Sequence, residues 1–309
     1  MITSIFKKSS IVNYALVVIL LLGCFFMYHA GIEPVSTSAN GFTHKLLLIS
    51  VLIGSLFLVN FIVKKNGLTK DSSYAILFFL LFLMLFPSVF DNTKLLLADF
   101  FLLLAMRRLI SLQTLKSPKE KIFDASMWIF IAGLFHFWCI LFILLVYISI
   151  IFHVSRDFRN WLLPFVAFVA TAVVFVLVAL VMNPAWINGL VQQTQMNFEL
   201  NYFTNNYQNA ALSFFVVVAL YFLFSMVFSL TNRPLILQAS YKKMIFGFII
   251  GIAVFALSAK KDNAMLLFTF FPLAEMATNN IEYSHNKMYQ EIVALLLIAG
   301  SFTAFFAQL

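Results

Sequence analysis

Asp99 is a carboxylic acid inside a mostly apolar run, KLLLADFFLLLAMRRLISL. An anion at the centre of a membrane-crossing helix costs about 2.5–3.5 kcal/mol, so such acids need a proton-transfer role, a bound cation or a compensating pair. Asp99 therefore reads either as a base or cation-holding carboxylate facing a cavity, or as an acid paired with Lys94 or bonded to a neighbouring helix. Glu33 in AGIEP and Asp91 in FDNTK lie in polar segments between apolar runs, where a carboxylate could deprotonate an acceptor hydroxyl. His136 in GLFHFW suits proton transfer or a structural hydrogen bond equally. The SAKKDN segment sets the ammonium groups of Lys260 and Lys261 side by side, fit for a lipid phosphate or diphosphate, or simply for an ordinary turn. Glu275, after Pro272 and near the end of its apolar run, reads as an acid that snorkels to the interface. Arg107 and Arg108 read as a stop signal at a membrane surface.

The longest polar stretch, Asn183–Ala210, carries no Lys or Arg and a single acid, Glu199. Asn and Gln fill it, with Trp186, Phe198, Tyr202, Phe203 and Tyr207 between them. Amides pair with hydroxyls and rings stack on sugar C–H faces, so Trp186, Asn197, Glu199, Tyr202 and Tyr207 are candidate acceptor-binding residues. The same composition also fits a plain interfacial aromatic belt. Ile187, Leu190, Val191, Thr194 and Phe198 fall near helical spacing and predict a surface helix here. No Gly-rich phosphate loop, nucleophile elbow, HExxH or CxxC is present. His29, His44, His136, His153 and His285 have no ligand spacing, so no metal site is expected. Cys24 and Cys139 lie in separate apolar runs and read as small buried hydrophobes.

The segments that must position these residues are membrane helices. Charged residues make up 10% of the 309, apolar residues 63%, and the mean hydropathy is +0.99. Soluble domains carry about 25% charged residues, so lipid is the solvent. Spans are predicted at Ile11–Ala30, Lys45–Val63, Tyr74–Phe90, Lys94–Leu112, Trp161–Met182, Ala211–Leu230, Met244–Ser258, Ala264–Thr278 and Ile292–Leu309. Ala125–His153 is too long for one span, and reading it as two short helices turning near Gly133–His136 sharpens the charge asymmetry. Of the 20 Lys and Arg, only Lys45, Lys94, Lys260 and Lys261 then fall outside. The expectation is an all-α polytopic bundle, one membrane domain over residues 1–309, with eleven helices, the N-terminus inside and the C-terminus outside. The net charge of +8 is topology signal plus attraction to anionic lipid, with no nucleic-acid partner implied.

Two stretches carry a resemblance. MRRLISL, a basic loop, IFDASMWIFIAGLFHFWCILFILLVYISIIF and RDFRNWLLPFVAF resemble the middle of polytopic glycosyltransferases that use polyprenyl-linked sugars. SAKKDNAMLLFTFFPLAEMAT is similar to their closing segment, and GLFHF after an Arg-bearing helix is similar to O-antigen-type polysaccharide polymerases. The whole chain looks like a family of uncharacterised multi-pass inner-membrane proteins from Bacteroidota. The resemblance implies a transferase at the outer face of the bacterial inner membrane, with a polyprenyl-phosphate sugar as donor. Glu33, Asp91, Asp99 or His136 would serve catalysis, and Lys260 and Lys261 would hold the departing phosphate. The first loop departs from that pattern in having Glu33 where those enzymes usually carry an acidic pair. A non-catalytic subunit of a secretion, motility or glycan-export assembly, with membrane-complex partners, is the alternative. A transporter is the third reading, weakened by only 10 Gly in the chain.

Overall fold

In a computed structural model, residues 2–32, 39–198, 205–259, 261–284 and 286–309 are described, and they are helical with turns and no strand. Glu33, Glu199, Tyr202 and Lys260 lie outside them. The helices in chain order are α1 (Ile2–Phe6), α2 (Ile11–Ile32), α3 (Ala39–Lys65), α4 (Tyr74–Leu85), α5 (Thr93–Ile110), α6 (Pro118–Phe135), α7 (Ile143–His153), α8 (Arg159–Met182), α9 (Ala185–Gln193), α10 (Asn206–Ser229), α11 (Leu235–Leu257), α12 (Leu267–Tyr283) and α13 (Lys287–Gln308). Among the described residues, six helices are long and apolar enough to cross a membrane: those within Ile11–Ala30, Gly41–Lys65, Arg159–Met182, Asn206–Asn232, Leu235–Leu257 and Lys287–Gln308. The chain is thus a membrane protein built as an all-α bundle.

Breaks in the helices have local causes. α4 stops at Leu85 because Pro87 lacks an N–H and disfavours helical geometry at Phe86, and a 3₁₀ segment, Pro87–Asp91, follows. Val89 N–H then bonds Phe86 O instead of Leu85 O, and the freed Leu85 carbonyl accepts Gln308 Nε2 at 2.9 Å. α6 ends at Phe135, His136 is extended, and the chain resumes as a 3₁₀ segment, Phe137–Phe142, leading into α7. The long apolar stretch therefore turns back at His136. α11 begins at Leu235, earlier than the predicted Met244. The polar residues before Met244 did not end the helix because tertiary partners take them up: Ser240 Oγ bonds Gln113 Oε1 at 3.1 Å, Tyr241 OH bonds Leu68 O at 2.8 Å and Lys243 Nζ bonds Leu109 O at 2.6 Å. α13 likewise starts at Lys287, where the Asn286 side chain accepts from Met288 and Tyr289 N–H.

α4 and α12 form the centre, and every residue of α4 is buried. Phe82 of α4 and Phe86, just past its end, meet Phe215 of α10 and Phe270 of α12, with Phe86 stacked on Phe270 at 6.1 Å and edge-on to Phe215 at 5.5 Å. Such pairs contribute about 0.5–1.5 kcal/mol beyond burial. α11 approaches α12 through Gly247 and Gly251, a small-xxx-small pair. A Cβ at Gly251 would stand 2.7 Å from Thr269 Cγ2 and 3.1 Å from Phe268 O. Phe268 O is the carbonyl left without an N–H partner by Pro272, and the absence of a side chain at 251 leaves room beside it.

The bundle has two ends. At one, loop 66–73 joins α3 to α4, and Asp71 accepts from Ser9 Oγ at 2.6 Å and Lys64 Nζ at 3.1 Å. At the other, His44 of α3 bonds Thr93 Oγ1 at 2.7 Å, beside the start of α5. The 27 residues of α3 separate these ends by about 40 Å.

Candidate functional site: an apolar cavity and a polar collar at the His136 end

A cavity of about 650 Å³ opens between α6 and α8 and is closed at one end by α9. This lies within the range of about 300–1,000 Å³ usual for ligand sites. Met127, Ile131, Leu134 and Phe135 of α6 face Ala170, Val174, Phe175 and Val178 of α8 across it. From α9, Ala185, Trp186, Gly189, Leu190 and Gln193 contribute one helical face. Lys94, in the first turn of α5, is the sole charged lining residue, exposed and without an ion-pair partner among the described residues.

α9 is the predicted surface helix, shorter and turned relative to expectation. Trp186 and Leu190 line the cavity, whereas Val191 does not. The helix ends at Gln193 because the Thr194 hydroxyl and N–H both bond Val191 O, at 2.7 and 3.1 Å, which closes the last turn early. No α9 residue is buried, so its apolar face is offered to the cavity and to lipid.

Beside the cavity runs a collar of hydrogen bonds. His136 Nε2 lies 3.0 Å from Ser258 Oγ, and its ring packs on Phe268 at 5.6 Å. Gln193 Oε1 accepts from Phe137 N–H at 3.2 Å, tying α9 to the turn after α6. Lys261 Nζ donates to Asn197 O and, at 3.5 Å, to Ser258 O. The structure thus joins His136, Lys261 and Asn197 through Ser258. The Lys261 ammonium is held by backbone carbonyls, which makes it a loop clamp more than an open phosphate site.

The remaining candidates are spread out. Asp99 is 3% exposed on α5, and its electrostatic neighbour is the buried thiol of Cys139. Asp99 has no hydrogen bond among the described residues, and Lys94 is not its partner. It therefore neither lines the cavity nor joins the collar. Asp91 is exposed at the end of the 3₁₀ segment, within electrostatic reach of the Tyr28 hydroxyl, as is Asp262, whose side chain caps Ala264 N–H at 3.1 Å. Trp186 lines the cavity. Tyr207 sits exposed in the first turn of α10, beyond the loop assigned to it. No group of three or more metal-ligating side chains occurs among the described residues.

Two residues underrated by sequence reasoning are fully buried. Glu275 lies eight residues from each end of α12, about 12 Å from either. It is 0% exposed and does not snorkel. The reading from sequence failed because Asn279 and Glu282 continue the helix past the apolar run, adding depth that hydropathy discounts. Lys243 is also 0% exposed. At the loop 66–73 end, outside the spans, the hydrogen bond from Ser9 and the ammonium of Lys64 hold the Asp71 carboxyl below its ordinary range.

Fold and cavity together define an all-α membrane bundle with an apolar chamber open between two helices and a single cation at its rim. The chain belongs to the family described as a family of unknown function (DUF6427), which matches residues 1–309. No curated protein and no solved structure matches it.

Proposed function

We propose that the protein binds a lipid with a long apolar chain and an anionic head, and acts on it as an envelope glycosyltransferase or polymerase using polyprenyl-linked sugars at the outer face of the bacterial inner membrane. The observation that carries this reading is the cavity of about 650 Å³, apolar on its helix faces and with Lys94 as its one charge. An isoprenoid chain suits the walls of α6 and α8, and a phosphate suits the Lys94 ammonium.

In this reading α2, α3, α4 with Pro87–Asp91, α5, α6, Phe137–His153, α8, α10, α11, α12 and α13 make eleven crossings. The His136 end faces outward, the N-terminus lies inside and the C-terminus outside. Positive charge supports this: the outward exceptions are Lys45, Lys94, Lys260 and Lys261 out of 20 basic residues. Asp91, the exposed acid three residues before Lys94, takes the proton of the acceptor hydroxyl. The acceptor oxygen attacks the anomeric carbon, the bond from that carbon to the phosphate oxygen breaks, and the phosphate leaves with its charge balanced by Lys94. Trp186, Asn197 and Tyr207 border the acceptor. The test is twofold: extract lipid from the purified protein, and assay surface polysaccharide in Lys94→Ala and Asp91→Asn strains. Bound polyprenyl phosphate with glycan loss in both strains is expected. Unaltered glycans together with an empty extract would sink the proposal.

One observation favours a non-catalytic subunit of an envelope assembly instead: no described carboxylate lines the cavity. Co-purification in mild detergent separates the two. A stable partner complex with intact glycan synthesis in the Asp91→Asn strain supports the subunit.

A further inference from the structure

α12 carries a polar stripe from its midpoint to the loop 66–73 end, where Glu275, Asn279 and Glu282 recur at helical spacing. Glu275 is 0% and Asn279 1% exposed. Three of their oxygens have no hydrogen-bond partner: Glu275 Oε2, Asn279 Oδ1 and Glu282 Oε1. Buried acceptors are normally satisfied, and each exception calls for a water or an ion.

The orientation of Asn279 is forced. Its Nδ2 donates to Glu275 Oε1, to Glu275 O at 3.2 Å and to Leu68 O at 3.3 Å. Reversing the amide would press its oxygen against three oxygens. Oδ1 is therefore left open, and because Glu275 Oε1 bonds the same amide, Oε2 is a neighbour. The Leu68 carbonyl also accepts from Tyr241 OH at 2.8 Å. It is delivered there by the turn closing α3, where Gly67 has φ +62° and Leu68 N–H bonds Val63 O at 3.1 Å. Glu282, half-buried at the rim, accepts from Lys70 N–H at 2.6 Å through Oε2, and the Ser72 hydroxyl also acts on its carboxylate.

The nearby cations do not close the site. Arg233 interacts electrostatically with both Glu275 and Glu282 but forms an ion pair with neither among the described residues. Its guanidinium lies 3.5 Å from the Tyr283 ring centroid and its Nε has no acceptor. Lys70 reaches the Glu282 backbone carbonyl at 2.9 Å and packs over Tyr283 at the exposed surface. The other titratable groups facing the stripe are the Tyr241 and Tyr74 hydroxyls, which carry no charge at neutral pH. Two carboxylates thus face two cations, Arg233 and Lys70, yet neither cation pairs with a carboxylate oxygen among the described residues, and Glu275 Oε2 and Asn279 Oδ1 stay open.

We infer that Glu275, Asn279 and Glu282 form a site for a small monovalent cation, sodium or a proton, entered from the loop 66–73 end. The site is independent of the lipid cavity at the opposite end. Hard oxygen donors suit either ion, and an intramembrane acid of this kind marks an ion or proton path. Toward the other end of α12 lie Phe270, Phe271 and Phe268, all buried, so entry is from the loop 66–73 end.

The test is thermal unfolding of the full chain in detergent at pH 8.5, in sodium chloride against N-methylglucamine chloride of equal strength, followed by a sodium-free series taken down to pH 5.5. Saturating sodium, or acid in the proton case, raises the midpoint of the wild type by about 2–4 °C, and Glu275→Gln abolishes the rise. A sodium response assigns sodium. A response to acid alone, with an infrared carboxylic-acid band lost in Glu275→Gln, assigns the proton. Glu282→Gln at the rim weakens the response several-fold and serves if Glu275→Gln does not fold. Equal wild-type midpoints in every salt and pH, or a response unchanged in the variants, would overturn the inference.

Discussion

α4 and α8 are both strongly apolar, yet they meet opposite surroundings. All of α4 is buried, among α2, α3, α12 and α13, whereas α8 buries only Asn160, Pro164, Ala167 and Ala179. α4 is 12 residues long, too short to cross a bilayer unaided, and α8 has 24. A helix enclosed by protein can stop early and hand its open carbonyl to a neighbour, as Leu85 does to Gln308. A helix facing lipid must satisfy every backbone group itself and so runs uninterrupted. The same contrast separates the two candidate sites. The inner stripe of α12 is a place of tight packing and unspent polarity, and the cavity between α6 and α8 is a place of loose packing whose side-chain polarity is confined to Lys94, Thr171, Trp186 and Gln193.

The contrast can be broken by filling each side in turn. Gly251→Val, with backbone and Thr269 already within 3.1 Å of its Cβ, should cost about 1–3 kcal/mol. Gly189→Val in α9, where nothing stands within 4 Å of a Cβ, should leave thermal stability unchanged while shrinking the cavity. Equal loss of unfolding midpoint in both would erase the distinction between a packed centre and a loose flank. Next in size, Gly67→Ala forces a side chain into left-handed geometry at φ +62° and should cost about 1–2 kcal/mol by denaturant unfolding. Because that turn delivers the Leu68 carbonyl, the same variant should also blunt the cation response, and Gly67→Asn should do so less. Lys94→Ala removes about 1 kcal/mol of attraction for an anionic head, roughly a fivefold loss of retained lipid by mass spectrometry, with the folding midpoint unmoved.

The smallest effect belongs to the surface clasp of Ser9, Lys64 and Asp71. The Asp71 carboxyl titrates below its unfolded value, so its contribution is present above the ordinary carboxylate range and fades as pH falls through the lowered folded value. Asp71→Asn should therefore lower the midpoint slightly at pH 7, and the offset should shrink as the pH falls through the lowered folded value. An offset that persists in acid would show that the clasp does not act through charge.

Several positions show how far residue types carry an argument. The turn at His136 was readable because splitting Ala125–His153 restored the charge asymmetry, a signal that survives in one dimension. The surface helix α9 was readable from spacing, but not which of its faces would meet the cavity, since Trp186 and Gly189 acquire that role from α6 and α8 packed nearby. Asp99 drew notice because it is an acid among apolar neighbours, yet its placement beside Cys139 came from the fold. Glu275 was misplaced, because hydropathy counts a polar residue against burial wherever it occurs. Gly247 and Gly251 could have been found from their four-residue spacing, a small-residue seam on an apolar helix.

Composition along the chain was enough to establish a membrane-embedded helical protein, because that depends on transfer from water, which each segment undergoes on its own. Hydropathy, however, scores departure from water without saying whether the receiving medium is lipid or another helix. That choice depends on contacts between residues far apart in the chain. Only the assembled bundle could enclose α4, leave α8 to lipid, open the chamber beside Lys94, and bring the Leu68 carbonyl and Arg233 to a buried acid at the middle of α12.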